Sequence, residues 1–435
     1  MSTSHWRQTL REMSLLHTSI IVFALSFLIY AFSPQGAPLV WDFPHGGEMV
    51  RIARTLAATG AYANPYSSAP TGLSAHAAPG YVFFYAAILK LLGGGFAGQE
   101  TIWAFNLGFL ALQLALLPAL AEELGLGLST GIVAAAFGAI LQPYRILPEW
   151  ESMVTGLLLV GLCLLTAKHF ARPGRWLHSA LLGMLWGVAI LTNPVCVVLL
   201  FVWPHIAARE NLPERPSAAR RAMGVAFAGA ALVCAPWFVR NYVQFHSFFF
   251  VRDNLGLELS VSNNPCAKPT LLENLISGCH GATHPNPNPV IAAEVRTKGE
   301  IEFNRERMHQ ALVWIEANPR AFARLTAERV RKWWFPTLQY QRYGYPMDAL
   351  TIISIFGLWM MFRERRRAAL LFVSTLLLYP LIHYLVQFEA RYRYPIFWAT
   401  LLPAAYVLVQ AFKRIRSSRA TSQIVSEERS ELVSA

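Results

Sequence analysis

The chain has 435 residues, of which 54% are hydrophobic and 14% charged, with a mean hydropathy of +0.37. Such a composition excludes an ordinary soluble domain and belongs to a chain that crosses a membrane many times. The formal net charge of +12 would suit a nucleic-acid partner, but the basic residues fall in short loops between apolar runs, which is an orientation signal and excludes that partner.

The first apolar run covers residues 14–33 and has no small-residue cleavage site, so residues 1–33 read as a cytoplasmic tail and an uncleaved first span. Residues 34–100 then form the first external loop. It carries FPHGGEMVRIARTLAATG, Phe43 to Gly60. Here Met49, Ile52, Ala53 and Leu56 recur at helical spacing, while Glu48, Arg51 and Thr55 share another face. Gly60 is placed to end that helix. The stretch Tyr81–Gly93 is also apolar, but it is short, carries Lys90 and follows a Pro-Gly; it reads as a surface or re-entrant helix.

Spans are expected near 101–121, 126–142, 152–167, 177–192, 194–208 and 222–239, a block that runs from 101 to 240. The basic loops with Lys168, Arg172 and Arg175, with Arg209, Arg215, Arg220 and Arg221, and with Arg363, Arg365, Arg366 and Arg367 must share one side. So must the tail with Lys413, Arg414 and Arg416. All reach the cytoplasm if the N-terminus lies there and about ten spans follow. The same parity requires residues 177–205 to be two short helices folded at Thr192-Asn193-Pro194.

Residues 241–346 form the second, larger external loop. It holds Cys266 and Cys279, the only cysteines outside expected spans, and a bridge between them is expected to pin the loop. Cys163, Cys196 and Cys234 read as buried, inert thiols. The later segment MHQALVWIEANPRAFARLTAERVRKWWFP reads as two amphipathic helices, the second capped by Asn318 with Pro319 at its first position. Its end, Trp333, Trp334 and Phe335, suits a membrane interface. Three final spans, near 347–362, 368–386 and 394–412, make up residues 347–412 and leave 413–435 as a basic cytoplasmic tail. The fold class expected is an all-α polytopic membrane protein of about ten transmembrane helices with a periplasmic helical or mixed region.

Five pieces occur in order along this scaffold: HGGEMVRIARTLAATGAYANPY, TGLSAHAAPGYVFFYAAILKLLGG, LTNP, APWFVRNYVQFHSFFFVRDNLGLELSVSNNP and ARYRYPI. Their order and placement resemble the GT-C class of membrane glycosyltransferases, in the branch of the protein O-mannosyltransferases and the aminoarabinose-lipid A transferases. The resemblance implies a GT-C-type fold and sugar transfer from a polyprenyl-phosphate donor to an acceptor hydroxyl on a lipid, glycan or protein. It also implies a site facing the periplasm of a bacterial inner membrane, surrounded by membrane lipids. In that class an acidic residue in the first external loop activates or positions the acceptor, and Glu48 occupies the matching place. The family often shows an Asp there; this chain has Gly-Glu, and its nearest aspartate, Asp42, is the second candidate. The Glu-Lys pair of the aminoarabinose branch reads Ala75 and His76 here, so no metal ligand is assigned, although a divalent metal stays open as a cofactor.

Transfer from a lipid phosphate needs a base for the acceptor and cations for the leaving phosphate, both at the external face. Glu48 meets the first need by location. Arg391 and Arg393, just before an inward-running span, meet the second, since a guanidinium fork fits phosphate oxygens. Arg240 at the outer end of a span, Arg252, Glu258, Tyr81 and His76 complete the substrate-binding candidates; Glu149 and Glu151 lie in a short loop on the same side. Each has a plainer reading: a first-turn acid complements the helix dipole, and boundary arginines snorkel to head groups. The aromatic FHSFFFV suits an interfacial belt better than a sugar platform. Two other functions compete. A transporter or flippase for a lipid-linked or anionic substrate would place ionisable residues or broken helices near mid-membrane, with an internal repeat. A scaffolding subunit would need no carboxylate and arginines gathered on one side.

Overall fold

The computed structural model describes residues 3–35, 47–171, 176–211, 214–336 and 341–434. Asp42 lies outside these residues. Among the described residues there is no strand, only two isolated bridges, Ala63 to Leu73 and Thr270 to Phe388.

Helix α1 (Thr3–Ala31) carries an apolar window of mean hydropathy 1.9 and leaves Leu16, Ile20, Ile21, Leu25 and Leu28 exposed, as a lipid-facing helix does. Two amphipathic elements follow. Helix α2 (Glu48–Thr59) buries Met49, Val50, Ile52 and Ala53, and ends at Gly60, whose left-handed φ of 77° lets its N–H donate to Leu56. Helix α3 (Pro79–Leu92) starts on a proline and has 14 residues, about 21 Å of rise, too short to cross a membrane alone.

The membrane block continues with α4 (Phe96–Ala115), α5 (Leu117–Glu123), α6 (Leu128–Ile140), α7 (Ser152–Ala171), α8 (Trp176–Thr192), α9 (Val197–Asn211) and α10 (Pro216–Phe245). The expected fold at Thr192-Asn193-Pro194 is present: α8 stops there, and the Asn193 side chain accepts a hydrogen bond from Val195 N–H. Helices α8 and α10 pack through glycines. A Cβ on Gly183 would stand 2.0 Å from the Ala226 carbonyl, and one on Gly229 would stand 2.6 Å from that of Ala180. Small residues let two membrane helices approach this closely.

The region between α10 and the last long helices holds α11 (Leu255–Ser262), α12 (Leu271–Ile276), α13 (Cys279–Thr283), α14 (Pro289–Lys298), α15 (Glu300–Ala317) and α16 (Pro319–Trp334). Gly256 lets α11 lie on α15, where a Cβ would be 1.9 Å from the Asn304 carbonyl. Asn304 then seals the contact, accepting from Leu257 N–H and donating to the Asp253 carbonyl. A disulfide joins Cys266 to Cys279. Asn318 precedes α16, but its side chain turns back to the Trp314 carbonyl and closes α15 rather than capping α16. Trp333 is fully buried against His383 instead of facing a membrane interface.

Helices α17 (Gln341–Glu364), α18 (Arg366–Leu378) and α19 (Trp398–Ser434) end the chain, with an irregular segment between α18 and α19. That segment is stitched to the region of α11 and α12: Phe388 N–H donates to the Pro269 carbonyl, Leu271 N–H to the Phe388 carbonyl, and Gln387 N–H to the Ser262 hydroxyl. Among the described residues six helices are long and apolar enough to span, and the bent pair Ala390–Ile396 with Trp398–Ser418 makes up to seven. Three of the segments expected as spans, α6, α8 and α9, have 13, 17 and 15 residues. The chain is a multi-pass membrane protein.

Candidate active site

A cavity of ≈ 280 Å³ opens where the start of α2, the start of α7, the Asn193 turn, helices α11 and α13, and the segment before α19 converge. Glu48 stands in its wall as the first residue of α2. The extended Gly47 before it is demanded by packing, because a Cβ there would lie 2.8 Å from the Trp150 ring. The Glu48 side chain is 13% exposed. Burial pushes its carboxyl above the ordinary range, while the helix-start N–H, Arg391, His280 and Arg51 pull it back.

Arg391 lies over the Trp150 ring, its guanidinium carbon 3.5 Å from the ring centroid and its Nε donating to Glu389 at 2.6 Å. Trp150 therefore meets both the backbone just before Glu48 and the Arg391 guanidinium. Glu258, on α11, and Arg252 also line the cavity, and neither side chain makes a hydrogen bond or ion pair with another described residue. Burial and then the nearby Glu48 charge push the Glu258 carboxyl up to about 7. Three carboxylates, Glu48, Glu151 and Glu258, and two guanidiniums, Arg252 and Arg391, thus face one small space.

Three histidines complete this wall. His76 is buried and meets the Tyr66 hydroxyl through Nδ1 at 3.3 Å. His280 and His284 stack at 4.6 Å, and His284 Nε2 lies 4.0 Å from Glu48 Oε1. Burial holds His76 and His284 down to about 3 and His280 to about 4, so all three are neutral around pH 7. On the opposite wall Asn193 donates towards Glu151 at 3.4 Å and Tyr379 at 3.2 Å, and His383 lies between the Trp333 and Tyr392 rings.

The structure brings Glu48, His76, Arg252, Glu258 and Arg391 to one cavity and leaves three candidates outside it. Arg393 is 1% exposed and points away, donating to the Trp333 and Trp334 carbonyls and the Thr351 hydroxyl. Those acceptors hold its two terminal nitrogens in the span boundary, away from the cavity. Tyr81 donates to the Pro148 carbonyl at 2.6 Å and accepts from Asn106, which anchors the loop bearing Trp150. Arg240 is enclosed by the Tyr62, Trp237 and Phe245 rings. Sequence reasoning passed over His280, His284, Trp150 and His383; a histidine directly after a bridging cysteine was the available signal for the first.

No family model matches the sequence, and no curated protein matches it. Solved structures do. The archaeal oligosaccharyltransferase AglB from Archaeoglobus fulgidus, in complex with an inhibitory peptide and a dolichol-phosphate, is similar at a TM-score of 0.57 and 14% identity over 95% of this chain and 52% of that one. The same enzyme in complex with Zn and sulfate gives 0.51 and 14% over 94% and 51%. The fold is that of the GT-C membrane glycosyltransferases. This chain spans about half the length of those oligosaccharyltransferase chains. ArnT from Cupriavidus metallidurans bound to undecaprenyl phosphate is matched at 0.39 and 14% over 93% and 78%. Among the described residues no group of three or more His, Cys, Asp or Glu is placed to hold a metal ion.

Proposed function

We propose that this protein is a glycosyltransferase that moves a sugar from a polyprenyl-phosphate donor to an acceptor hydroxyl at the periplasmic face of a bacterial inner membrane. The observation that carries this reading is the cavity that gathers Glu48, Glu258 and an Arg252 with no ion-pair partner among the described residues. A half-buried guanidinium that lines the cavity without an ion-pair partner among the described residues suits an anionic ligand, and a phosphate supplies one. The GT-C fold supports the same chemistry by analogy.

In the reaction Glu48 takes the proton of the acceptor hydroxyl as its oxygen attacks the anomeric carbon. The bond from that carbon to the phosphate oxygen breaks, and the phosphate leaves with the electron pair toward Arg252 and Arg391. Attack and departure on opposite faces invert the sugar. Glu258, which stays partly protonated near neutral pH, is placed to hydrogen-bond a sugar hydroxyl. The sugar is a hexose or pentose, and the acceptor is a lipid, glycan or protein. Side chains of the chain itself carry each of these steps.

The test is transfer by the purified full chain from undecaprenyl-phosphate hexoses and pentoses to a membrane lipid extract and to peptides. Glu48→Gln should reduce turnover by ~10²–10⁴, the usual worth of a general base. Equal rates for wild type and Glu48→Gln would reduce the carboxylate to a helix-dipole residue.

A further inference from the structure

Glu48 is met on its α13 side by a series of contacts that begins in the other external loop. Ser67 donates through its N–H to Asn286 Oδ1 at 2.8 Å and through its hydroxyl to the Asn286 carbonyl at 2.7 Å. Ser68 adds its N–H to that carbonyl at 3.1 Å and its hydroxyl to the Pro285 carbonyl at 2.6 Å. Four hydrogen bonds between residues more than 200 positions apart therefore fix the segment after α13.

Held in this way, Asn286 N–H donates to His284 Nδ1 at 3.0 Å. An Nδ1 that accepts a hydrogen bond carries the lone pair, so the proton of the neutral ring sits on Nε2. Nε2 is the atom 4.0 Å from Glu48 Oε1. The ring cannot swing away: His280 covers one face, and the Tyr66 ring meets it edge-on at 6.1 Å.

We propose that His284 is a positioning residue for Glu48, its Nε2–H directed at one carboxylate oxygen so that the other is the one offered to the acceptor. The inference rests on the reading of Glu48 as the base. The first external loop, acting through Asn286, then sets the tautomer and orientation of a residue that never touches substrate. A separation of 4.0 Å is longer than a hydrogen bond, and such contacts commonly tighten when the substrate binds. Arg51, Tyr66, His280, Glu258 and Arg391 also face the carboxylate, but none of their polar atoms is locked toward it by a backbone donor of its own.

The contact is read directly by labelling the full chain in detergent with dicyclohexylcarbodiimide, which reacts with protonated carboxyls, and following the Glu48 peptide by mass spectrometry against pH. His284→Leu should move the Glu48 labelling midpoint up by about half a pH unit, since the Nε2–H dipole that faces the charged form at 4.0 Å is lost. His284→Gln, whose amide nitrogen reaches the place of Nε2, should keep the wild-type midpoint. His284→Asn, whose amide lies near Nδ1 instead, should behave as the leucine variant and gives a polar comparison if leucine impairs folding. In the transfer assay His284→Leu should lower kcat about tenfold at unchanged donor KM and cost nothing further in a Glu48→Gln background. An unmoved midpoint in both the leucine and asparagine variants, or an equal loss in the Glu48→Gln background, overturns the proposal. Full transfer by Glu48→Gln would sink the base role, a result distinct from an unmoved midpoint, which sinks the contact itself.

Discussion

The two arginines of the ARYRYP segment show how far apart neighbours in sequence can be in role. Arg391 lies on Trp150 beside the cavity, whereas Arg393, two residues later, serves the carbonyls at the end of α16. A periodic reading could place both at the external boundary but not say which way each points, because the irregular backbone before α19 follows no helical or strand period. Glu48 was legible because a carboxylate at a helix start after Gly-Gly is a local pattern. Arg252 was legible only as one candidate among several; that it lacks an ion-pair partner among the described residues depends on contacts distant in sequence. Arg252→Ala should raise the donor KM about tenfold or more with little change in kcat, since a phosphate is present in the ground state. Arg393→Ala should instead lower the thermal midpoint of the purified chain, because buried carbonyls lose a charged donor. Kinetics and thermal unfolding of the two variants side by side would separate them, and a donor KM effect confined to Arg393→Ala would reverse the assignment.

At the scale of elements, the helices with a clear period or a strong terminator were readable and the joints between them were not. Helix α2 follows its apolar spacing and ends at Gly60, and the break at Asn193-Pro194 follows from proline's missing N–H. The capping of α16 and the site of Trp333 were misread, since Asn318 had an alternative acceptor one turn back and Trp333 found an aromatic partner in a distant segment. The α8 and α10 pair depends on glycines that hydropathy does not distinguish from any other small residue. Gly183→Leu should cost about 1–3 kcal/mol or more by forcing the two helices apart. Gly161→Ala in α7, where an added Cβ meets nothing within 4 Å, should be neutral. Thermal unfolding in detergent checks both, and an unchanged midpoint in Gly183→Leu would mean that the close approach of α8 and α10 is not required.

For the whole molecule, the region from Asp253 to Glu300 takes several acids away from solvent. Burial pushes Glu300 up to about 8, Glu258 to about 7 and Asp253 to about 6. Groups whose folded values are raised bind protons more tightly folded than unfolded, so their contribution is present below about 4.5 and is lost as pH rises toward 8. Neutral His76, His280 and His284 act in the opposite sense, losing stability as pH falls below about 6.5, so the acid contribution is read from a variant rather than from the wild-type profile alone. Glu300→Gln keeps the acceptor for Ala75 N–H, and its thermal midpoint relative to wild type should be lower near pH 5.5 than near pH 8. A midpoint difference between variant and wild type that does not change with pH would contradict the sign. Composition made the membrane class readable, while the joining of residues 47–100 and 241–336 around one cavity rests on contacts such as Ser67 to Asn286 that no local pattern announces.

The bridge between Cys266 and Cys279 ends one residue before His280 and five before His284. Its consequence belongs to biosynthesis rather than to catalysis. A freshly inserted chain carries all its spans before oxidation, yet the segment that presents both imidazoles to Glu48 is tethered covalently at its start only once the two thiols have paired, while the Ser67 and Ser68 hydrogen bonds hold its far end. Maturation should then proceed in two stages, insertion first and competence after passage through an oxidising compartment. Chains pulse-labelled in cells held under a membrane-permeant reductant should be inserted, protease-resistant in their spans and inactive, and should gain transfer activity when the reductant is washed out. Full activity in chains whose cysteines are trapped as free thiols would show that α13 finds its seat unaided.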